Sequence, residues 1–351
     1  MKVLLILLTL FLSGCIEDVV DSVETRFSNS SDLITYAETR TTLFNQRNTP
    51  LLVSVDELNR NIGEYHILDI RDNFDFQSGH VQDAKNVQMK DVLNYLKEKN
   101  LSSSQKIIII SNTGQLASYV SSLLIIAGFE NIYSLDGGMT YWNKLFSDEM
   151  RDAIGTSLRY IRRVRTSLSS ENTSPPDLYY ENNPKTIEEK IEERVQLLLN
   201  ESPLNIFIST TEFDALYSVR QRRYVGTFVV YAKPDELTGI ERYGIIDGPI
   251  STHLFVSPSS FTSEASLLSL PTNLNIVLYS NSGQQSAYMT AYLKLLGYSA
   301  KSIRYGKSSM MCLDINPIYS YKTPMAVIGY DTVFCAEYYK QIRDYQYEVG
   351  E

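Results

Sequence analysis

Ile107-Ile108-Ile109-Ile110-Ser111-Asn112-Thr113-Gly114-Gln115 is the stretch on which the fold turns. The unbroken apolar run reads as a strand buried on both faces of a parallel sheet. A tight polar loop follows it. Val120, Leu123, Leu124 and Ala127 then recur at helical spacing, and Gly128 fits a helix C-terminus. The same order returns 169 positions later. Ile276 to Leu278 lead into Ser280-Asn281-Ser282-Gly283-Gln284, and Met289, Tyr292, Leu293 and Leu296 run up to Gly297. That offset pairs Tyr119 with Tyr288, Gly128 with Gly297 and Gly137 with Gly306, so the sequence reads as a duplicated domain. The short strands His66–Ile70 and Ile132–Leu135 complete an α/β doubly wound pattern.

The chain has 351 residues, enough for two domains of ordinary size. Hydrophobic residues make up 43% and charged residues 21%, the balance of a folded globular protein. The formal net charge of -9, with no Lys/Arg block, argues against nucleic acid as a partner. Met1-Lys2 precedes an apolar run, Val3 to Leu12. At about ten residues, against the roughly 20 that a membrane span requires, this run suits the core of a signal peptide. Leu12-Ser13-Gly14-Cys15 then resembles the lipobox of bacterial lipoproteins. That resemblance implies cleavage before Cys15, acylation there (palmitate or a similar chain), and a membrane held through the lipid. Ile16 after Cys15 points to the outer membrane or another part of the cell envelope.

These signals divide the chain into a signal peptide (1–14), a lipid-anchored tether (15–50), a first domain (51–148), a linker with helices (149–203), a second domain with a degenerate opening (204–322) and a C-terminal extension (323–351). Within the linker, Thr186 is placed to cap a helix to Leu199, with Glu188 and Glu189 in its first turn. Arg159, Arg162, Arg163 and Arg165 read as a solvated helix face. Beyond Cys15 only Cys312 and Cys335 remain. An oxidising compartment permits a disulfide between them, and two buried thiols are the alternative. Without CxxC or a Cys/His cluster, no metal or haem is expected, and no cofactor is implied. Several of the 25 tyrosines fall in the tail, among them Tyr319, Tyr321, Tyr338, Tyr339, Tyr345 and Tyr347. They give weak support for a face that meets an envelope protein partner.

Leu68-Asp69-Ile70-Arg71, then Gly79-His80-Val81, Ala84 and Asn86, resemble the opening motif of rhodanese-like domains, and Gly128-Phe129, Leu135-Asp136-Gly137-Gly138 and Trp142 resemble its close. The second copy matches best from Val277 to Tyr305. At its opening, Tyr231-Ala232 and Gly244-Ile245-Ile246 replace the motif residues. The resemblance implies an α/β fold of two rhodanese-like domains, each a mainly parallel sheet with helices on both faces.

In that family a loop cysteine carries sulfane sulfur, stabilised by loop N–H groups and a helix N-terminus, with a loop arginine for anionic substrates. By the resemblance, the cysteine position holds Ser111 in one copy and Ser280 in the other, and the arginine position holds Leu116 and Gln285. No catalytic residue is therefore expected, and the chain reads as a non-catalytic tandem envelope lipoprotein, a binding or scaffold module. One alternative is sulfur or selenium transfer through a cysteine outside the family motif. Another is small-anion binding by the surviving cradles, Asn112, Thr113, Gly114 and Gln115 in one copy and Asn281, Ser282, Gly283, Gln284 and Ser286 in the other. No cation near either loop replaces the arginine in the sequence, which favours relic loops. Serine hydrolase chemistry requires a base, and of His66, His80 and His253, His80 belongs to a structural turn.

Overall fold

A computed structural model of the chain describes residues 27–39, 51–101, 104–153, 174–218, 223–232, 253–311 and 340–350. Its first elements are β1 (Phe27–Asn29) and α1 (Ser31–Thr39). A five-stranded parallel sheet follows, from β2 (Leu52–Val53), β3 (Tyr65–Asp69), β4 (Lys85–Asn86), β5 (Lys106–Ile110) and β6 (Ile132–Leu135), in spatial order β2-β6-β5-β3-β4. Helices α2 (Val55–Arg60), α3 (Asn73–Ser78), α4 (Val92–Lys99), α5 (Gln115–Ile126), α6 (Gly138–Trp142) and α7 (Asp148–Ala153) accompany it. After β7 (Asp177–Tyr179), α8 (Ile187–Leu199) and α9 (Pro203–Ile206), a second sheet forms from β8 (Phe207–Ile208), then α10 (Thr210–Ala215), the pair β9 (Tyr217–Ser218) and β10 (Arg223–Tyr224), β11 (Thr227–Ala232), β12 (His253–Val256), β13 (Asn275–Tyr279), α11 (Gln284–Leu295), β14 (Ala300–Ile303) and α12 (Ser308–Met311). Its five parallel strands run β8-β14-β13-β11-β12, the order of the first sheet element for element.

The apolar run explains where β5 sits. Ile107 and Ile109 enter one core and Ile108 and Ile110 the other, because successive side chains leave opposite faces of a strand. In β13, Ile276 and Leu278 join the same core as Ile107, while Val277 and Tyr279 face a smaller cluster. Helices α5 and α11 pack on each other between the two sheets, so one core passes from sheet to sheet.

One sequence expectation is corrected here. The tether reading of 15–50 fails for its described part. β1 pairs antiparallel with β7, and Leu33, Ile34 and Ala37 of α1 are buried in the shared core. The helix expected in the linker of 149–203 is present, and it joins the same core. α8 begins with a capping box between Thr186 and Glu189, and buries Ile191, Val195, Leu198 and Leu199 in that core. Arg194 donates to the carbonyls of Lys294 (2.7 Å) and Leu295 (3.2 Å) at the end of α11. Cys15, Cys312, Cys335, the arginines from 159 to 165 and Gly244-Ile245-Ile246 lie outside the described residues.

Residues 340–350 lie along the first unit. Arg343 forks onto Asp56 (2.8 Å to each oxygen), and the Tyr345 hydroxyl donates to the same carboxylate (2.5 Å), which holds the Asp56 pKa down at about 2. The Trp142 indole N–H donates to the Gln346 carbonyl (2.8 Å), and the Tyr345 and Tyr347 rings stand 5.2 Å from Trp142 and 5.1 Å from Phe146. Tyr319, Tyr321, Tyr338 and Tyr339 are outside the described residues.

Candidate functional site: the two strand-to-helix loops

The loop after β5 carries Ser111 at the C-terminal end of the sheet, where ligands of parallel α/β sheets gather. Ser111 is 4% exposed, and its hydroxyl accepts the Ala117 N–H (3.2 Å). The segment after β6 holds the loop from below. Met139 N–H donates to the Ser111 carbonyl (3.1 Å), and the N–H and hydroxyl of Thr140 both donate to that of Asn112 (2.9 Å each). Gly138, at φ +57°, runs so close beneath that a Cβ there would lie 2.1 Å from the Ser111 carbonyl oxygen. Among the described residues, the N–H groups of Asn112, Thr113 and Leu116 have no protein acceptor, and the Asn112 Oδ1 is buried without a donor. Asn112 Nδ2 donates to Asp75 (3.1 Å) and Glu149 (3.2 Å).

The loop after β13 repeats this frame. Ser280 is 2% exposed and accepts the N–H groups of Gly283 and Ser286 (3.1 Å each). Gly306, at φ +53°, approaches the Ser280 carbonyl as Gly138 approaches that of Ser111, so the structural partner of Gly306 is Gly138. The constant offset had paired it with Gly137. The cause is one residue fewer between Gly297 and β14 than between Gly128 and β6. The motif ion pair is replaced too. Asp69 and Arg71 form a buried pair (2.7 Å), and Arg71 also reaches the Gly79 carbonyl. At the register of Asp69 stands Tyr231, whose hydroxyl takes the Lys307 ammonium (2.7 Å) and donates to Asn281 Oδ1 (3.1 Å).

The two loops brace each other across the α5–α11 contact. The Gln115 amide donates to the Ile303 carbonyl (3.1 Å) and accepts the Tyr305 N–H (2.7 Å) in the second unit. The Gln284 amide accepts the Gly137 N–H (3.0 Å) and approaches the Leu135 carbonyl (3.4 Å) in the first. Both glutamines, expected in anion cradles, thus spend their amides on main-chain groups of the opposite unit, and Gln115 also lines the cleft beside its loop. Ser286 bonds Ser302 (2.8 Å) inside the second unit. Asn112 and Thr113 do line an opening, and Asn281 and Ser282 stay partly exposed.

Above Ser111 is a cleft of about 460 Å³, floored by Asn112, Thr113 and Leu116 and roofed by Phe207, Arg304 and Tyr305 of the second unit. Leu199, Asn200 and Glu201 at the end of α8 close one side. Burial, with help from the Glu149 carboxylate that accepts its hydroxyl (2.6 Å), pushes the Tyr305 phenol up. The expectation that no cation stands near the loop is overturned, because Lys90 and Arg304 both line this cleft. They were illegible because one follows β4 and the other follows β14, both far from the loop in sequence.

The sequence model of the rhodanese-like domain matches residues 54–145, from α2 through α6. The thiosulfate sulfurtransferase GlpE of Pseudoalteromonas translucida is 33% identical over 84 residues, covering 24% of this chain and 78% of that protein. The chain belongs to the rhodanese-like family. A GlpE of Vibrio cholerae is 27% identical over 79 residues, 22% of this chain and 73% of that one. Among solved structures, a rhodanese-related protein from Thermoplasma volcanium shares 25% identity, over 26% of this chain and 89% of that chain, at TM-score 0.24. A thiosulfate sulfurtransferase from Pseudomonas aeruginosa shares 11%, over 77% and 46%, at TM-score 0.29. The rhodanese-like match thus contains the Ser111 loop and the cleft floor, whereas the roof comes from residues beyond it.

Asp136, in the rhodanese-like closing motif, is half-buried, and the desolvation raises its pKa to about 6. A raised carboxylate pKa lowers stability as pH climbs from the unfolded value toward the folded one, and the full cost persists above that. Asp136→Asn is expected to raise stability by about 1–2 kcal/mol at pH 7.5 and to leave it unchanged at pH 3.5. Chemical denaturation at the two pH values checks this.

Proposed function

We propose that this chain is a lipid-anchored envelope protein in which two rhodanese-like units serve as a binding and scaffold module without sulfur transfer. The observation that carries this reading is the Ser111 hydroxyl, buried and bonded to the Ala117 N–H where the resemblance places the sulfur-carrying cysteine. A serine hydroxyl does not ionise near neutral pH as a cysteine thiol at a helix N-terminus does, and it holds no persulfide. Ser280 repeats the substitution in the second unit. The GlpE relatives are thiosulfate sulfurtransferases by name. Hydrolysis by either serine lacks a base among the described histidine side chains. His80 is held by the Phe76 carbonyl (2.9 Å), and His66 by the Tyr95 hydroxyl (3.0 Å). Lipidation at Cys15 rests on the lipobox alone.

The test is cyanide-dependent thiocyanate production from thiosulfate by the protein from Ile16 onward, beside Ser111→Cys. The parent is expected to stay at background, and Ser111→Cys to gain one sulfur by mass spectrometry. Turnover by the parent, or a persulfide on Cys312 or Cys335, overturns the reading in favour of sulfur transfer through those thiols.

A further inference from the structure

Residues 340–350 follow the second unit in the chain and dock on the first, in the manner of a bound peptide. Burial alternates over 343–348, with Arg343, Tyr345 and Tyr347 half-buried and Asp344, Gln346 and Glu348 exposed. A period of two marks an extended strand. Its main chain is paired along the first unit. Arg343 N–H donates to the Tyr141 carbonyl (2.8 Å), Tyr345 N–H to that of Trp142 (3.1 Å) and Gly350 N–H to that of Gln77 (3.0 Å). Lys144 N–H donates to the Arg343 carbonyl (3.0 Å) and Asn143 Nδ2 to that of Tyr345 (2.8 Å). His80 and Glu348 each donate an N–H to the other's carbonyl (2.9 Å each). The half-buried side chains meet separate receptors. Asp56 takes Arg343 and the Tyr345 hydroxyl, Trp142 packs on the Tyr345 ring, and Phe146 on the Tyr347 ring. Grooves that read extended peptides combine these two features, main-chain pairing for affinity and alternate side-chain contacts for specificity. The two units differ at this place. Counted from the helix caps Ser54 and Ser209, Thr211 stands where Asp56 does. Counted from Gly138 and Gly306, Met310 stands where Trp142 does.

We propose that the first unit carries a recognition groove for an extended Arg-x-Tyr-x-Tyr segment, filled by residues 340–350 of its own chain and open to the same segment of a second copy. The groove reads only local features of that segment, so a tail arriving from another molecule meets the same donors, acceptors and rings. Attachment to the same chain favours the cis pairing. Two copies that exchange tails form a dimer in which both grooves stay filled. Each chain offers one such groove, because Thr211 and Met310 supply neither the carboxylate nor the indole. This inference deepens the reading of the chain as a binding and scaffold module and uses no residue of the Ser111 loop.

Two measurements on the full chain in detergent test it. In the first, the double variant Arg343→Ala, Tyr345→Ala loosens the resident tail, and a synthetic peptide of residues 340–351 is titrated in. Trp142 is the single tryptophan of the chain, so its fluorescence reports filling of the groove. Saturable binding of one peptide per chain is expected. A peptide carrying Arg343→Ala is expected to bind about tenfold more weakly, and the parent, whose own tail competes, to take the unaltered peptide about tenfold more weakly. In the second, Asp56→Arg is mixed with Arg343→Asp. Each variant alone sets like charges against each other, and exchange of tails in the mixture pairs opposite charges at both grooves. Sedimentation is expected to show a dimer in the mixture that neither variant forms alone. The proposal is overturned by no peptide binding in a double variant that still melts cooperatively, by equal affinity for the substituted peptide, or by a mixture without the dimer. Should the double variant fail to fold, the mixture alone decides. Thiocyanate turnover by the parent overturns the non-catalytic reading instead, so the two failures are distinct.

Discussion

Gly138→Ala is expected to lower unfolding stability by about 3–5 kcal/mol, from a left-handed backbone and a steric clash acting together. At φ +57°, a side chain costs about 1–2 kcal/mol by itself. The new Cβ would stand 2.1 Å from the Ser111 carbonyl oxygen and 2.7 Å from the Gly114 nitrogen. Both are backbone atoms, and the Ser111 carbonyl is fixed by the Met139 N–H, so no rotamer change relieves the overlap. A shift in urea midpoint at constant slope measures the cost. Gly63→Ala is the control. Nothing lies within 4 Å of its added Cβ, so a change within about 0.5 kcal/mol is expected there.

Val195→Asp is expected to cost about 4 kcal/mol or more, because it buries an unpaired carboxylate. Val195 is 0% exposed in the middle of α8, in the core shared by α5, α11 and α1. The informative readout is where the damage appears. If α8 belongs to a common core, amide exchange accelerates in α5 and α11 alike, and the parent unfolds in one transition. A passive connector between independent domains would leave both helices protected.

Much of this architecture is legible along the chain. The isoleucine run fixes β5, the repeated Ser-Asn-X-Gly-Gln segment fixes both loops, and Thr186 with Glu189 fixes the start of α8. Each of these signals is local, with cause and effect lying within a few residues. The signals that fail are contacts between distant segments. Nothing near Arg343 announces Asp56, and the polar composition of 27–39 hides the three apolar residues that dock it. The site divides the same way. The loop residues are visible in sequence, but the contacts of Gln115 and Gln284 with the opposite unit depend on the α5–α11 packing and have no local signal. Arg304 carries no motif at all and gains its meaning only from the position of β14 beside the first unit.

The reciprocal glutamines also bear on which substitutions the two units can absorb. Gln115 is read by the Ile303 carbonyl and the Tyr305 N–H, and Gln284 by the Leu135 carbonyl and the Gly137 N–H. Main-chain groups other than proline's are the same whatever side chain they carry, so non-proline substitutions at 135, 303 or 305 leave each amide its partner. Exchange of either glutamine, by contrast, strands buried main-chain groups that no single compensating mutation elsewhere can satisfy. The two units are thus held in register by main-chain atoms, which most side-chain exchanges leave in place.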